Sequence, residues 1–252
     1  MSFARRIVPI LLLATAARAQ SPAEHVAAGD REAEAFHPDA ALKHYEAALA
    51  SDPKNVAALQ NASKAAVDIG ESTPDKKQAA DLFELGEKYA REAVAVAPND
   101  AESALSSRAR AGRAALNVGV RDRVKYAVEI REQALDALKI DPEHPGALHV
   151  LGMWNAEVMR LNGVERFFAK NVLGGKVFGL ANWNDAVSNL EHAVRVDPKR
   201  PTHRLDLGMI YRDVGEKAKA RQELEAVLSM PQVDVNDGIY KQQAKDALAR
   251  LK

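Results

Sequence analysis

The chain has 252 residues, no cysteine, 5% aromatic residues and equal numbers of basic and acidic residues, 35 of each. The absence of cysteine excludes disulfides, thiolate metal sites and a cysteine nucleophile. The balanced charge lacks the basic excess of a nucleic-acid-binding protein, and the composition is typical of a helix-rich soluble protein.

The first nineteen residues have the pattern of a secretory signal peptide. Arg5 and Arg6 precede the apolar run Ile7–Ala14, and Ala17-Arg18-Ala19 places small residues where signal peptidase cuts. The apolar run is far shorter than the ~20 residues that span a bilayer. We therefore predict a signal peptide over residues 1–19, cleaved after its last alanine. The mature chain is expected to be exported, periplasmic or secreted, without a transmembrane segment.

The mature chain then repeats a pattern of small residues and prolines. Ser21 and Glu24, with Pro22 between them, predict a capping box that starts the first helix. The following positions have the offsets of a tetratricopeptide repeat, in which small residues let two antiparallel helices approach and a proline ends the second helix. These positions are Gly29, Ala41, Tyr45, Ala48 and Pro53.

Later repeats end at four further prolines, Pro98, Pro142, Pro198 and Pro231. The successive intervals, counted from Pro53, are 45, 44, 56 and 33 residues, so only the last is close to the ~34 residues of the standard repeat. We place the extra length of the second repeat in the turn Gly70–Lys77 and a longer second helix. The extra length of the third repeat is placed around Gly119–Arg123.

The sequence thus predicts an all-α fold, a tetratricopeptide-like right-handed α-solenoid of about five helical hairpins over residues 20–252. The fourth hairpin carries a helical insertion, residues 162–181, because Gly152 and Ala186 stand 34 residues apart where a standard repeat has about 12. A final helix over residues 237–252, capped by Asp237, is predicted to cover the open apolar end of the stack.

The fourth repeat and its insertion resemble the regulator of microtubule dynamics family. The matching residues are His149, Leu151, Gly152, Trp154, Glu165, Arg166, Ala169 and Leu173. Met153 stands where the family tends to have a basic residue, and Asn155 also departs from the pattern. The resemblance implies a helical-repeat domain, and together with the predicted signal peptide it indicates an exported, bacterial-type relative. Animal members associate with microtubules and mitochondria, and one is implicated in phospholipid binding through its repeats. Of these properties, we expect binding of a lipid or apolar ligand to transfer.

The insertion offers two interpretations. Its apolar residues recur at helical spacing, so they either roof the concave groove over an apolar pocket or fill a gap in the irregular stack. The two tryptophans beside it either line that pocket or clamp the insertion to the scaffold. The candidate ligand-binding residues are Trp154, Arg160, Arg166, Phe167, Phe168, Val172, Phe178 and Trp183.

The third repeat supplies a candidate basic surface, Arg108, Arg110 and Arg113. Arginines that face the groove would attract a phosphate head group or an acidic peptide terminus. The alternative is a solvated face with pairing inside the helix.

No catalytic or metal-binding pattern is present. His144 and His149 are five residues apart, which places them on different helical faces, and HExxH does not occur. The sequence also has no nucleophile elbow of the Gly-x-Ser-x-Gly type. We therefore predict no enzyme activity and no cofactor, and we interpret His149 as a packing residue between repeats.

Two functions follow for the site. The first is a non-catalytic binding scaffold whose concave face holds a protein or an extended peptide. The alternative is an apolar-ligand or phospholipid carrier, with a pocket closed by the insertion over residues 162–181. A peptide groove is expected to be open and polar, whereas a lipid site is expected to be a deep apolar cavity beneath the insertion.

Overall fold

The computed structural model describes residues 20–104, 120–171 and 176–251. Within these ranges the protein consists of twelve α-helices and one 3-10 helix, joined by short turns. The helices are α1 (Pro22–Glu34), α2 (Pro38–Ser51), α3 (Val56–Ser72), α4 (Lys76–Val96), α5 (Ala101–Ala104), α6 (Val120–Ile140), α7 (Pro145–Arg160), α8 (Gly163–Asn171), the 3-10 helix (Lys176–Leu180), α9 (Trp183–Val196), α10 (Pro201–Asp213), α11 (Lys217–Ser229) and α12 (Asp237–Arg250).

The first helix begins as predicted. The Glu24 N–H donates to the Ser21 hydroxyl at 3.3 Å, and the Ser21 N–H donates to the Glu24 carboxylate at 2.6 Å. Pro22 occupies the first helical position, where a missing N–H has no cost. The reciprocal bonds satisfy two backbone N–H groups that a helix start otherwise leaves without partners.

Successive helices pack in pairs, which confirms the predicted stack of helical hairpins. The pairs are α1 with α2, α3 with α4, α5 with α6, α7 with α9, and α10 with α11. Each predicted repeat end, from Pro53 to Pro231, lies two residues after the last residue of a second helix. Small residues allow the close approach: a side chain on Gly152 of α7 would overlap Leu190 of α9.

The extra length of the second hairpin lies more in its helices than in its turn. Helix α3 continues to Ser72, so the turn predicted from Gly70 is confined to three residues. Gly70 is helical, and its missing side chain leaves room for the Phe83 ring of α4. Asp75 then starts α4 by accepting the N–H groups of Lys77 and Gln78 at 3.0 and 2.8 Å.

Helix α12 packs against the fifth hairpin. Its apolar face, which includes Ala244 and Ala247, contacts Leu205, Leu224 and Val227. These contacts cover apolar side chains of α10 and α11, as a terminal helix of a repeat stack must. The predicted cap differs in detail, because Asp237 is the first helical residue and its carboxylate turns back to accept N–H groups of the preceding chain.

The stack curves so far that its end contacts its beginning. Asn236 follows the fifth hairpin, yet its side-chain amide donates to the Glu71 carboxylate of α3 at 3.0 Å. The first helices of adjacent hairpins, α1 with α3 and α7 with α10, lie side by side. The contact between Asn236 and α3 therefore crosses the inner, concave side of the curve, where such solenoids present their binding surfaces.

Candidate functional site

The inner face of the stack holds a non-helical segment of the chain itself. This segment, Pro231–Asn236, joins α11 to α12 and is called the strap below. The Asp234 carboxylate is 3% exposed and lies 3.5 Å from Lys64 Nζ of α3 and 3.3 Å from Arg200 Nη1 before α10. A buried carboxylate is tolerated when cations and hydrogen bonds compensate for its lost hydration, and both are present here.

A second group of hydrogen bonds holds the end of the strap. Asn236 is 2% exposed, and its amide donates to the carbonyl of Asp68 at 3.4 Å as well as to Glu71. The Tyr240 hydroxyl of α12 donates to the same Glu71 carboxylate at 3.0 Å. Residues separated by more than 160 positions in the sequence are thus joined through one carboxylate of α3.

Residues 231–233 of the strap are irregular, and residues 234–237 form a turn in which the Asp237 N–H donates to the Asp234 carbonyl at 3.2 Å. Asp234 and Asn236 are buried, whereas Val233 is exposed and Val235 is half-buried. The Asn236 N–H also donates to the Asp234 carboxylate at 3.1 Å, so the turn holds the two buried side chains close together. The Asp237 carboxylate accepts the N–H groups of Val233 and Asp234 at 2.7 and 2.9 Å, which fixes the strap relative to α12.

A cavity of about 260 Å3 lies beside the strap, between it and the first two hairpins. The Tyr45 hydroxyl and the Asn61 amide both line it and both donate to the Asp30 carboxylate, at 3.0 and 2.9 Å. Burial and the Asp30 hydrogen bond raise the pKa of Tyr45 above its ordinary value, so the phenol remains a donor. Phe36, at the mouth, has a φ of 62°, which is a strained conformation for a bulky side chain.

Two histidines meet between the fourth and fifth hairpins. The Nδ1 atoms of His149 and His203 are 2.9 Å apart, so one ring must donate and the other accept. Nε2 of His149 also lies 3.3 Å from the Asp206 carboxylate. Burial, with a smaller effect from Arg200, lowers the pKa of His203 to about 4. Burial therefore favours the neutral form of His203 in the folded chain.

The insertion is anchored by Trp154. The Trp154 N–H donates to the carbonyl of Ala127 in α6 at 2.8 Å, and its ring meets Phe178 edge-on at 5.9 Å. Val124 and Ala169 complete the same buried cluster. The space beneath the insertion is filled by these side chains, and the insertion packs against α6 and α7.

The outer side of the insertion carries exposed apolar residues. Phe167 and Phe168 are 60% and 52% exposed, and Val164 and Leu180 are exposed beside them. A surface depression of about 360 Å3 lies between α8 and the 3-10 helix. Its lining combines the rings of Phe167 and Phe178 with Arg166 and Lys170.

The other predicted ligand-binding residues lie elsewhere. Arg160 donates to Asp213 of α10 at 2.8 Å and pairs with Glu157, so it joins two helices. Trp183 packs at the start of α9 against the cluster that contains Leu190. Val172, Arg108, Arg110 and Arg113 lie outside the described residues.

The residues of the strap contact were missed in the sequence, and so was the histidine pair. No local pattern marks Lys64, Arg200 or Asp234, because their meeting depends on the curvature of the whole stack. In the sequence, Pro231 indicated only the end of a repeat. Among the described residues, no group of three or more His, Asp or Glu side chains is arranged to hold a metal ion. None of the helices in those ranges combines the length and apolarity needed to cross a membrane.

Paired helices, small residues at their crossings and a curved inner face define a tetratricopeptide-like helical-repeat protein. The crystal structure of a thermophilic TPR protein from Thermus thermophilus is similar with a TM-score of 0.61, over 89% of this chain and 98% of that chain. Its sequence identity is 17%, so the likeness concerns the fold.

The sequence profile of the Regulator of microtubule dynamics protein 1-3 family matches residues 23–252, and the chain belongs to this family. Regulator of microtubule dynamics protein 3 of Rattus norvegicus is 22% identical over 189 residues, which are 75% of this chain and 40% of that protein. The Bos taurus protein of the same name is 24% identical over 54% of this chain and 28% of its own length. The chain thus spans less than half of the curated relatives it matches.

Proposed function

We propose that the protein is a non-catalytic scaffold that holds an extended segment of a protein partner on the inner face of its repeat stack. The observation that carries this proposal is the strap, a non-helical segment held in that face by side chains of α3 and by Arg200. A surface that binds one non-helical segment has the groups to bind another, because side-chain donors and carboxylates do not depend on the covalent connection.

The cavity beside the strap supports the same function. It continues the groove toward α1 and α2 and is lined by hydrogen-bonding groups, Asp30 and Asn61 among them, together with apolar atoms of Ala33 and Phe36. Polar groups that fix orientation within a partly apolar surface are typical of binding sites. The strained backbone of Phe36 is also typical of functional positions.

A selection of random dodecapeptides displayed on phage tests this function. Enriched peptides are expected to bind the mature chain, to weaken at least about tenfold with Asn61→Ala plus Lys64→Ala on the inner face, and to keep their affinity with Lys43→Ala. Lys43 is an exposed residue of α2 and serves as the matched control. Failure to enrich any peptide, or equal losses for both sets of variants, would contradict the scaffold function.

A second candidate function is binding of an apolar ligand or a phospholipid at the insertion. The depression beside α8 places two aromatic rings next to Arg166 and Lys170, which suits an acyl chain and an anionic head group. No ion pair joins Arg166 or Lys170 to a carboxylate of the described residues, so both cations are available to a ligand. The site is a surface depression, whereas a carrier would enclose its lipid more fully.

Lipid extraction and native mass spectrometry of the purified protein test this second candidate. Phospholipid should co-purify or be taken up, and Phe167→Asp should abolish uptake. The matched control is Val233→Asp, which places the same charge at an exposed apolar residue far from the insertion. Absence of lipid and of lipid uptake would exclude the candidate.

We also propose that the chain acts after export, as its first nineteen residues predict. Protein recovered from the periplasm of a bacterial host should begin at Gln20 by N-terminal sequencing. An intact N-terminus on all of the recovered protein would contradict cleavage after Ala19.

A further inference from the structure

We propose that the strap is an internal ligand that competes with the partner, and that the partner segment carries an aspartate followed two residues later by an asparagine. This inference rests on the proposed scaffold function and names the chemistry of its partner. It follows from which strap side chains are buried, which groups receive them, and how the strap is attached.

The strap places two buried side chains against α3 and Arg200. Asp234 and Asn236 are both at least 95% buried, whereas the neighbouring valines line the cavity or face solvent. Both side chains contact α3 from within the turn at residues 234–237. The recognised pattern is therefore Asp-x-Asn, with intervening and preceding positions that tolerate an apolar residue.

Different groups of the groove bind each of these two side chains. Lys64 and Arg200 approach the Asp234 carboxylate from α3 and from the start of α10, so the carboxylate links two repeats that are far apart in sequence. The Asn236 amide donates to Glu71 and to the Asp68 carbonyl. These contacts discriminate against the reverse order, Asn-x-Asp. In that order the aspartate would face the Glu71 carboxylate, and the two cations would lack a carboxylate partner.

The strap and the first turn of α12 can leave the groove together, since Asp237 joins them, while the rest of α12 stays in place. Helix α12 is held to the fifth hairpin by the buried apolar cluster of Ala244, Ala247 and Leu248. The contact of the strap and Tyr240 with α3 consists of hydrogen bonds and ion pairs, and Lys64 is 47% exposed. A competing segment that carries the same groups can replace these contacts one for one, so that no buried charge is left unpaired.

Competition makes the observed affinity depend on the fraction of molecules with an empty groove. In the intact chain the strap is present at the high local concentration of a tethered ligand. A partner with the same two side chains must therefore bind more weakly to the intact chain than to a chain whose own strap has lost them. That difference is the measurable signature of an internal ligand.

The experiment uses a fluorescein-labelled peptide with the sequence of residues 231–238, blocked at both ends, and the mature full-length chain. Fluorescence anisotropy should give at least about tenfold tighter binding to the variant Asp234→Asn plus Asn236→Ala than to the wild type. Adding Lys64→Ala to this variant should remove the gain in affinity. A peptide with Asn at the position of Asp234 should bind this variant at least about tenfold more weakly than the original peptide does.

Asp246→Asn is the matched control, since it removes an exposed carboxylate of α12 that has no contact with the strap. It should bind the peptide as the wild type does. If the double variant loses helicity, Tyr240→Phe takes its place, because it loosens the hold on Glu71 without touching Lys64 or Arg200. A gain of about threefold is then expected.

Equal binding to the wild type and to a folded strap variant would overturn the competition, and equal binding of the Asp and Asn peptides would overturn the partner chemistry. The phage-selected peptides separate this failure from that of the scaffold. If they bind the inner face while the strap peptide does not, only the present inference is wrong. If neither peptide binds, both the inference and the scaffold function are wrong.

Discussion

The strap and the insertion both depart from a plain repeat stack, but they are held by opposite kinds of contact. The insertion is local in sequence and packs by apolar burial around Trp154. The strap joins the fifth hairpin to the second through charged and amide groups, with Asp234 and Asn236 nearly inaccessible to solvent. One feature is a fixed addition to the scaffold, and the other is a contact that a competing ligand can replace.

This difference separates the two candidate functions. The inner side of the insertion is buried by apolar packing, so only its outer surface can contact a ligand. The groove that holds the strap has polar side chains and is therefore suited to a segment of defined chemistry. We therefore place partner recognition at the strap and the second candidate, lipid contact, at the outer face of α8.

The largest expected effect tests the apolar side of this comparison. Trp154→Ala should lower the free energy of unfolding by about 3–5 kcal/mol, because it removes a buried ring and leaves a cavity. Trp183→Ala should cost less, since Trp183 is only partly buried. Urea denaturation followed by circular dichroism measures both. Equal losses would show that Trp154 is no special anchor of the insertion.

The next effect tests whether the polar inner side responds to pH. His203 is neutral in the folded chain, with a pKa of about 4, whereas the unfolded chain takes up its proton near the ordinary value of 6.5. The contribution of His203 to the free energy of unfolding is therefore complete above pH 6.5. As the pH falls toward 4, this contribution decreases by roughly 2–3 kcal/mol in total.

The measurement is the free energy of unfolding between pH 7.5 and pH 4, compared between the wild type and His203→Gln. The difference in unfolding free energy between the two proteins should change by roughly 2–3 kcal/mol over this range. Asp206, whose pKa is raised to about 7 by burial, contributes to both profiles and cancels in the difference. His192→Gln is the control, since His192 lies outside the histidine pair and meets Glu143 at the surface. A profile for His203→Gln as steep as that of the wild type would contradict the assignment.

A smaller effect concerns the strap. Asp234→Asn should lower the free energy of unfolding by about 1 kcal/mol, since the two cations that it meets are partly exposed and solvent screens the pair. Asp246→Asn should leave it unchanged within about 0.5 kcal/mol. Denaturation at 50 mM and 500 mM salt checks the cause, because the difference between the variants should shrink at high salt. A salt-independent difference would argue for packing.

The smallest effect on stability is expected at the outer face of the insertion. Phe167→Asp should change the free energy of unfolding by less than about 0.5 kcal/mol, because the ring is mostly exposed. The same variant is the one expected to abolish lipid uptake. A loss of 2 kcal/mol or more would indicate that Phe167 belongs to the core, as the gap-filling interpretation of the insertion requires.

The fold could be predicted from the sequence because each repeat has a local pattern of small residues and prolines. Gly152 and Ala186 mark a close helix crossing by their size, and a proline follows each second helix at a constant distance of two residues. The position of the insertion followed from the same regularity, since an interruption is visible against a period. Its outward-facing rings were not predictable, because helical spacing defines an apolar face without saying what covers it.

The strap contact could not be predicted from local patterns. Whether Asn236 reaches Glu71 depends on the small rotation added at each of several helix crossings, and those rotations accumulate over more than 160 residues. The same limit applies to His149 and His203, whose meeting requires two neighbouring first helices in the correct phase. Pairs such as these are set by packing geometry, which single-sequence periodicity does not contain.

Closure of the stack by its strap is tested most directly by the distance between the two ends of the stack. Because the chain has no cysteine, Lys43→Cys on α2 and Lys245→Cys on α12 provide two unique sites for spin labels. Pulsed electron resonance should give one narrow distance distribution in the free protein. A longer or broader distribution is expected after Asp234→Asn plus Asn236→Ala. Identical distributions in both proteins would contradict a stack that is closed by its strap.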